Sequence, residues 1–183
     1  MGALQSEIFD SDAILKQTQH RAWPIPQSPW IMQQVWYGLL FAHWPLPAEQ
    51  VRALIPDELE LDTFGGEAWI SLTPFRLNVT LRGLSAFGDM LSFPELNCRT
   101  YVRYKGHEGI YFFSLDAASR LAVMGAQSLY RLPYFFATME HDEKDGRIWF
   151  RSERRERPAE LEAVYQPIGE AREALNGTLE HWL

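Results

Sequence analysis

The sequence predicts an α+β domain whose sheet is mostly antiparallel and curls into a barrel or cone. Glycine-bearing turns recur between runs rich in β-branched and aromatic residues, at Phe64-Gly-Gly66, Lys105-Gly-His-Glu-Gly109 and Glu143-Lys-Asp-Gly146, the pattern of successive hairpins. Helix start signals are few and fall between hairpins instead of alternating with every strand. Aromatic side chains make up 14% of the chain, a density suited to a thick sheet core or to a cavity with aromatic walls. A chain of 183 residues fits one domain, 1–183, of which 1–30 is a helix and a proline-rich lead-in.

The elements follow in order. Ser11-Asp12 caps a short helix, and the prolines at 24, 26 and 29 then enforce an extended lead-in packed by Trp23 and Trp30. Gln33 to Trp44 has the apolar density of one buried strand. Pro47 suits the first turn of a helix through Leu54. Leu59–Thr63 and Ala68–Thr80 are expected to pair as a hairpin, the two glycines supplying positive φ at its turn. Residues 81–92 form a loop that is either an ordinary connection or the cover of a pocket mouth. Phe93–Tyr104 and Ile110–Leu115 make the next hairpin, and Asp116 caps a helix from Ala117 to about Leu129. Leu132–Glu140 pairs with Arg147–Glu153, and Thr178 caps a final helix.

Composition excludes several functions. A net charge of −7 with no basic stripe argues against nucleic acid as a partner. The longest apolar run, Val35–Trp44, is too short to span a bilayer, so no membrane is expected. Cys98 is the only cysteine and no secretion signal is visible; the expected compartment is cytoplasmic, and the sequons at Asn78 and Asn176 are chance matches. No HxH, HxxxH or HExxH spacing exists, so no metal is expected, and without a P-loop, GxGxxG or GxSxG string no cofactor is expected either.

The chemistry concentrates on one strand. By alternation, Phe93, Glu95, Asn97, Arg99, Tyr101 and Arg103 share a face, while Pro94, Leu96, Cys98, Thr100, Val102 and Tyr104 share the other, which suits a packed core. Facing solvent, the first set implies nothing further. Facing inward, Glu95 and Arg99 lie roughly 13 Å apart at 3.3 Å per residue, too far to pair, so each needs a partner strand or a ligand. His43, beside Trp44 at a strand end, fits a hydrogen-bonded structural residue better than an acid, base or ligand. Only Lys16, Lys105 and Lys144 are lysines, and none has the apolar setting that a Schiff-base amine needs.

Five ordered strings, Trp36-Tyr-Gly-Leu-Leu-Phe-Ala-His-Trp-Pro45, Leu59-Glu-Leu-Asp-Thr-Phe-Gly-Gly-Glu-Ala-Trp69, Glu95-Leu-Asn-Cys-Arg-Thr-Tyr-Val102, Tyr111-Phe-Phe-Ser-Leu-Asp-Ala117 and Leu132-Pro-Tyr134, closely resemble the YqjF-like family, a domain of unknown function (2071). That family is grouped by fold with acetoacetate decarboxylase. The resemblance therefore implies a cone-shaped, double-layered β-barrel with peripheral helices. It also implies that Glu95 matches the cavity glutamate of the decarboxylases. Their Schiff-base lysine follows a proline, and the matching position here is Tyr134, with Phe135 where a second lysine would stand. Tyrosine forms no imine, so decarboxylation by that route is not expected. Gln127 stands where the family pattern often has arginine, which weakens any anion site there. Family members usually continue a few tens of residues beyond the point matching Leu183, implying a C-terminally incomplete barrel.

Two functions then stand side by side. In the first, the domain binds a small organic acid or aromatic metabolite: Arg99 pairs with the anion, Glu95 and Asn97 orient it, and Trp69, Tyr101 and Tyr134 line the wall, with His43 nearby. In the second, a lysine-independent enzyme acts on a small carboxylate or carbonyl compound, with Glu95 as acid or base and Tyr134 as proton donor. A homo-oligomer is compatible with both.

Overall fold

The structure, a computed structural model, describes residues 11–19, 21, 23–83 and 92–183. The elements are α1 (Ser11–Lys16), β1 (Met32–Tyr37), β2 (Ala42–Leu46), α2 (Ala48–Arg52), β3 (Glu60–Leu61), β4 (Ala68–Leu81), β5 (Ser92–Tyr104), β6 (His107–Ala117), α3 (Arg120–Tyr130), β7 (Tyr134–Phe136), β8 (Thr138–Lys144), β9 (Arg147–Arg154), β10 (Ala159–Tyr165) and α4 (Leu179–Trp182). A seven-stranded sheet runs β1-β4-β5-β6-β7, with β2 also on β4 and β3 on β5, and a three-stranded sheet runs β10-β9-β8. All pairings are antiparallel except β6 with β7. The α+β class and the antiparallel sheet agree with the sequence. The closed barrel does not: among the described residues β1 and β7 remain edges, and β8 leaves the large sheet to pair with β9.

The expected single strand over 33–44 is two strands, and Pro74 explains the break. Residues 32–37 pair with 76–81 and residues 42–46 with 68–72, so Gly38–Phe41 bulges opposite Pro74. The Pro74 carbonyl accepts from Leu40 N at 3.2 Å, which places the missing Pro74 N–H on the same side. A ladder cannot continue past a residue with no donor. Gly38 turns the chain there at φ +57, where a side chain is strained.

Other expectations also change. Leu59–Thr63 does not pair with Ala68–Thr80; β3 joins β5 through Glu60↔Arg103 and Leu61↔Val102, and Arg103 binds Asp62 at 3.0 Å and Glu108 at 2.8 Å. The turn after β5 is only Lys105-Gly106, both at positive φ. Asp116 caps no helix. It lies in β6 and forms a buried 2.7 Å ion pair with Arg154, while Ser119 caps α3 by accepting from Ala122 N. Residues 132–140 divide at Ala137 between the two sheets. Trp23 is exposed and not packed into the core, although its ring meets His107. The N-cap side chains of Ser11 and Asp12 and most of the 81–92 loop lie outside the described residues.

The core lies under α3. Phe75, Leu77, Val79, Phe93, Ala117 and Val123 are buried together, with Tyr134 and Phe136 packed against them. The small sheet turns Ile148, Phe150 and Ser152 inward. It is tied to the large sheet by Arg154–Asp116 and by Tyr165, whose hydroxyl donates to the Gly38 carbonyl. No described helix is long and apolar enough to cross a membrane.

Candidate functional site

Strand β5 lies between β4 and β6, and its polar face points inward. Glu95, Asn97, Arg99 and Tyr101 are 3, 2, 6 and 7% exposed, which removes the solvent-facing reading. Phe75 and Ala117, the register partners of Glu95, belong to the core, so the polar strip continues the core face along the sheet. The opposite face is buried as well at Leu96, Thr100 and Val102, with Asp116 opposite Leu96 and gripped by Arg154 of the small sheet.

At the core end of the strip, the Tyr134 hydroxyl lies 3.3 Å from both Glu95 carboxyl oxygens. Burial raises the Glu95 pKa from 4.5 to about 7, opposed by hydrogen bonds from Tyr134 and from Asn97. Burial, followed by the neighbouring Glu95 charge, pushes the Tyr134 phenol upward, so it remains a proton donor. β7 brings Tyr134 here by parallel pairing with β6, Leu115↔Tyr134, and Gln127 of α3 fixes it by donating to its carbonyl at 2.7 Å. Gln127 thus has a positioning role that the sequence did not suggest.

A second group gathers around Arg99. Register aligns His43 with Ser71 and Ser71 with Arg99, so the three share a face. His43 Nε2 and the Tyr101 hydroxyl are hydrogen-bonded at 2.8 Å. Burial, and then the positive charge of Arg99, lower the His43 pKa, keeping the ring neutral at pH 7. The Arg99 guanidinium lies 5.0 Å from the Phe41 ring centroid and 6.0 Å from that of Tyr101. Phe41 reaches it because the bulge opposite Pro74 projects there. Trp182 of α4 packs on Tyr101 at 4.9 Å and on Phe64 at 5.8 Å, covering this end.

Two polar atoms between these groups have no hydrogen-bond partner although fully buried: Asn97 Oδ1 and Arg99 Nε. No described carboxylate lies within ion-pair distance of Arg99. The sequence candidates therefore separate into Glu95, Asn97 and Tyr134 on one side and His43, Arg99 and Tyr101 on the other. Trp69 alternates with Ser71 along β4 and so shares the Arg99 face, while its indole N–H donates to the Phe64 carbonyl and braces the turn. Sequence reasoning missed Phe41, Trp182, Ser71 and Thr73, the last two completely buried and 3.2 Å apart at their hydroxyls. Alternation along β4 would have found Ser71 and Thr73 as polar breaks in an apolar face.

All three lysines are exposed, so none reaches the strip. Among the described residues no cluster of three metal-ligating side chains occurs. A groove of about 210 Å³ on the outer face of the small sheet, lined by Glu140, Asp142, Trp149, Arg151 and Glu162, is separate from these residues.

The fold is similar to that of acetoacetate decarboxylase-like proteins. Acetoacetate decarboxylase from Legionella pneumophila superposes with a TM-score of 0.55 over 73% of this chain and 51% of its own length, at 16% identity. The enduracididine biosynthesis enzyme MppR, solved in complex with pyruvate, superposes with a TM-score of 0.57 over 76% of this chain and 58% of its own, at 13% identity. At such identities the likeness concerns the fold alone. The chain belongs to the family DUF2071, described as an uncharacterized conserved protein, whose model matches residues 33–183. It is also 48% identical over 161 residues to the uncharacterized protein YqjF of Bacillus subtilis (strain 168), covering 87% of this chain and 66% of that protein's length.

Proposed function

We propose that this domain binds a small organic acid along the inner face of β5, with Arg99 holding the carboxylate. One observation carries the reading: an arginine only 6% exposed, whose buried Nε has no hydrogen-bond partner and which meets no carboxylate among the described residues. Burying a cation without a counter-charge costs several kcal/mol, a cost a bound anion would offset. Phe41 and Tyr101 supply apolar walls beside it, and neutral His43 adds no competing charge. Cytoplasmic location belongs to the same proposal and rests on the lone cysteine.

The test is calorimetric titration of the full chain with acetate, butyrate and benzoate, repeated with Arg99→Ala. At least one acid should bind, and the variant should lose about tenfold or more in affinity, as expected for a charge-assisted hydrogen bond. Equal binding by the variant, or no binding by any acid, would refute the anion site.

A second reading has its own support. A carboxyl raised to about 7 and hydrogen-bonded by a phenol has the character of an acid–base pair. A lysine-independent reaction on the bound acid would use Glu95 to accept a proton and Tyr134 to hydrogen-bond the developing oxyanion.

A further inference from the structure

Asn97 stands between the two groups of the strip, and its amide is oriented by what it already binds. Its side chain interacts with the Glu95 carboxyl in the way that favours the charged form, and an ionised carboxylate accepts only from the NH2 end. The oxygen end therefore points away from Glu95 and is the buried Oδ1 without a partner. An acceptor in that state calls for a donor, whereas the orphan at Arg99, an N–H, calls for an acceptor. Asn97 and Arg99 share a face two residues apart, roughly 6.6 Å between Cα atoms, so flexible side chains can converge on adjacent atoms of one small molecule.

From this complementarity we infer that the ligand is a small hydroxy monocarboxylic acid, its carboxylate on Arg99 Nε and its hydroxyl donating to Asn97 Oδ1. The inference rests on the anion site proposed above and adds the second recognition point. A keto acid does not fit, since its carbonyl oxygen would face another acceptor. A 2-amino acid carries its ammonium beside its carboxylate, so seating that carboxylate on Arg99 brings a second cation toward the guanidinium. A dicarboxylate would bring a second negative charge toward the Glu95 carboxyl. A hydroxyl donates with no net charge, leaving one anion to balance one guanidinium.

The experiment is a calorimetric series on the full wild-type chain with molecules of one carbon count: butyrate, both enantiomers of 2-hydroxybutyrate and of 3-hydroxybutyrate, 2-oxobutyrate and 2-aminobutyrate. One hydroxybutyrate should bind about tenfold or more tighter than butyrate and 2-oxobutyrate, because each of these leaves the Asn97 acceptor unpaired. Asn97→Leu should bring that hydroxy acid down to the affinity of butyrate and leave butyrate little changed. Butyrate binding as well as every hydroxybutyrate would overturn the inference and leave the Arg99 site standing. 2-Oxobutyrate or 2-aminobutyrate in first place would overturn the hydroxyl assignment. Binding by none would remove the anion site and this inference together. The comparison needs only the wild-type chain, so a poorly folding variant does not blunt it.

Discussion

Glu95→Gln isolates the cost of burying a carboxylate in the strip. Glu95 is 3% exposed, and burial raises its pKa from 4.5 to about 7. A folded-state pKa above the unfolded value means that the native state binds the proton more tightly. The contribution to stability is therefore complete below pH 4.5 and is lost as pH rises through 7. At 1.36 kcal/mol per pH unit, the loss reaches about 3 kcal/mol at pH 8 and stays under about 1 kcal/mol at pH 5. Glutamine keeps an oxygen to accept from Tyr134 and carries no charge at either pH. Relative to the wild type, the variant should gain about 2–3 kcal/mol between pH 5 and pH 8. For a domain of this size that is about 5–10 °C in Tm. Urea unfolding followed by tryptophan fluorescence at both pH values measures it. Any pH-independent cost of the substitution cancels in the comparison. A stability difference between the two proteins that is the same at pH 5 and pH 8 would refute the buried, proton-holding carboxyl.

Two further substitutions probe how the strip is held. Arg154→Ala leaves Asp116 buried without its 2.7 Å partner and should cost about 3–5 kcal/mol, whereas replacing both residues by leucine should recover much of this; urea midpoints of the single and double variants decide it. Gly38→Ala forces a side chain into φ +57 and places its Cβ about 2.7 Å from His141 Nε2, so a loss of about 2 kcal/mol or more is expected, part of it recovered in a His141→Ala background, read by thermal denaturation of the three variants.

How much of this was legible in the sequence depends on the range of the interaction that sets each feature. Alternation along β5 is local, and it placed Glu95, Asn97, Arg99 and Tyr101 on one face without any knowledge of the neighbouring strands. Which way that face points is a tertiary fact. The apolar character of Leu96, Cys98 and Val102 pointed to a packed face, and that face is buried, but so is the polar one: one is covered by α3 and the core cluster and the other by the small sheet. Asp116 has the local form of a helix cap, and the contest was won by Arg154, 38 positions away. Pro74 is an odd residue for a central strand, and the reading of Ala68–Thr80 passed over it. Its effect appears on a different strand, at Gly38–Phe41, because the missing N–H faces β1 and β2. β10 went unseen because Ala159–Tyr165 has its charged residues on the exposed side of a small edge strand. Phe41 and Trp182 were missed for a related reason: a ring contacting Arg99 or Tyr101 from a bulge or a four-residue helix leaves no periodic signal.

The placement of Tyr134 carries a consequence for where charge resides in the strip. A lysine opposite Glu95 would supply an ammonium that holds the carboxyl ionised and the pair neutral as a whole. A phenol supplies one hydrogen bond and no charge, so burial dominates and Glu95 holds its proton up to about pH 7. The cationic pole of the strip then lies two alternations away at Arg99, roughly 13 Å along β5 from Glu95 and out of reach of direct pairing. One end therefore offers a nearly neutral acid–phenol pair and the other an uncompensated guanidinium. A ligand with one negative end and one neutral hydrogen-bonding group matches that polarity, and reversing it would oppose an anion to Glu95 while leaving Arg99 alone. The polarity of the strip would thus set the orientation of the proposed ligand before any contact with an apolar wall is considered.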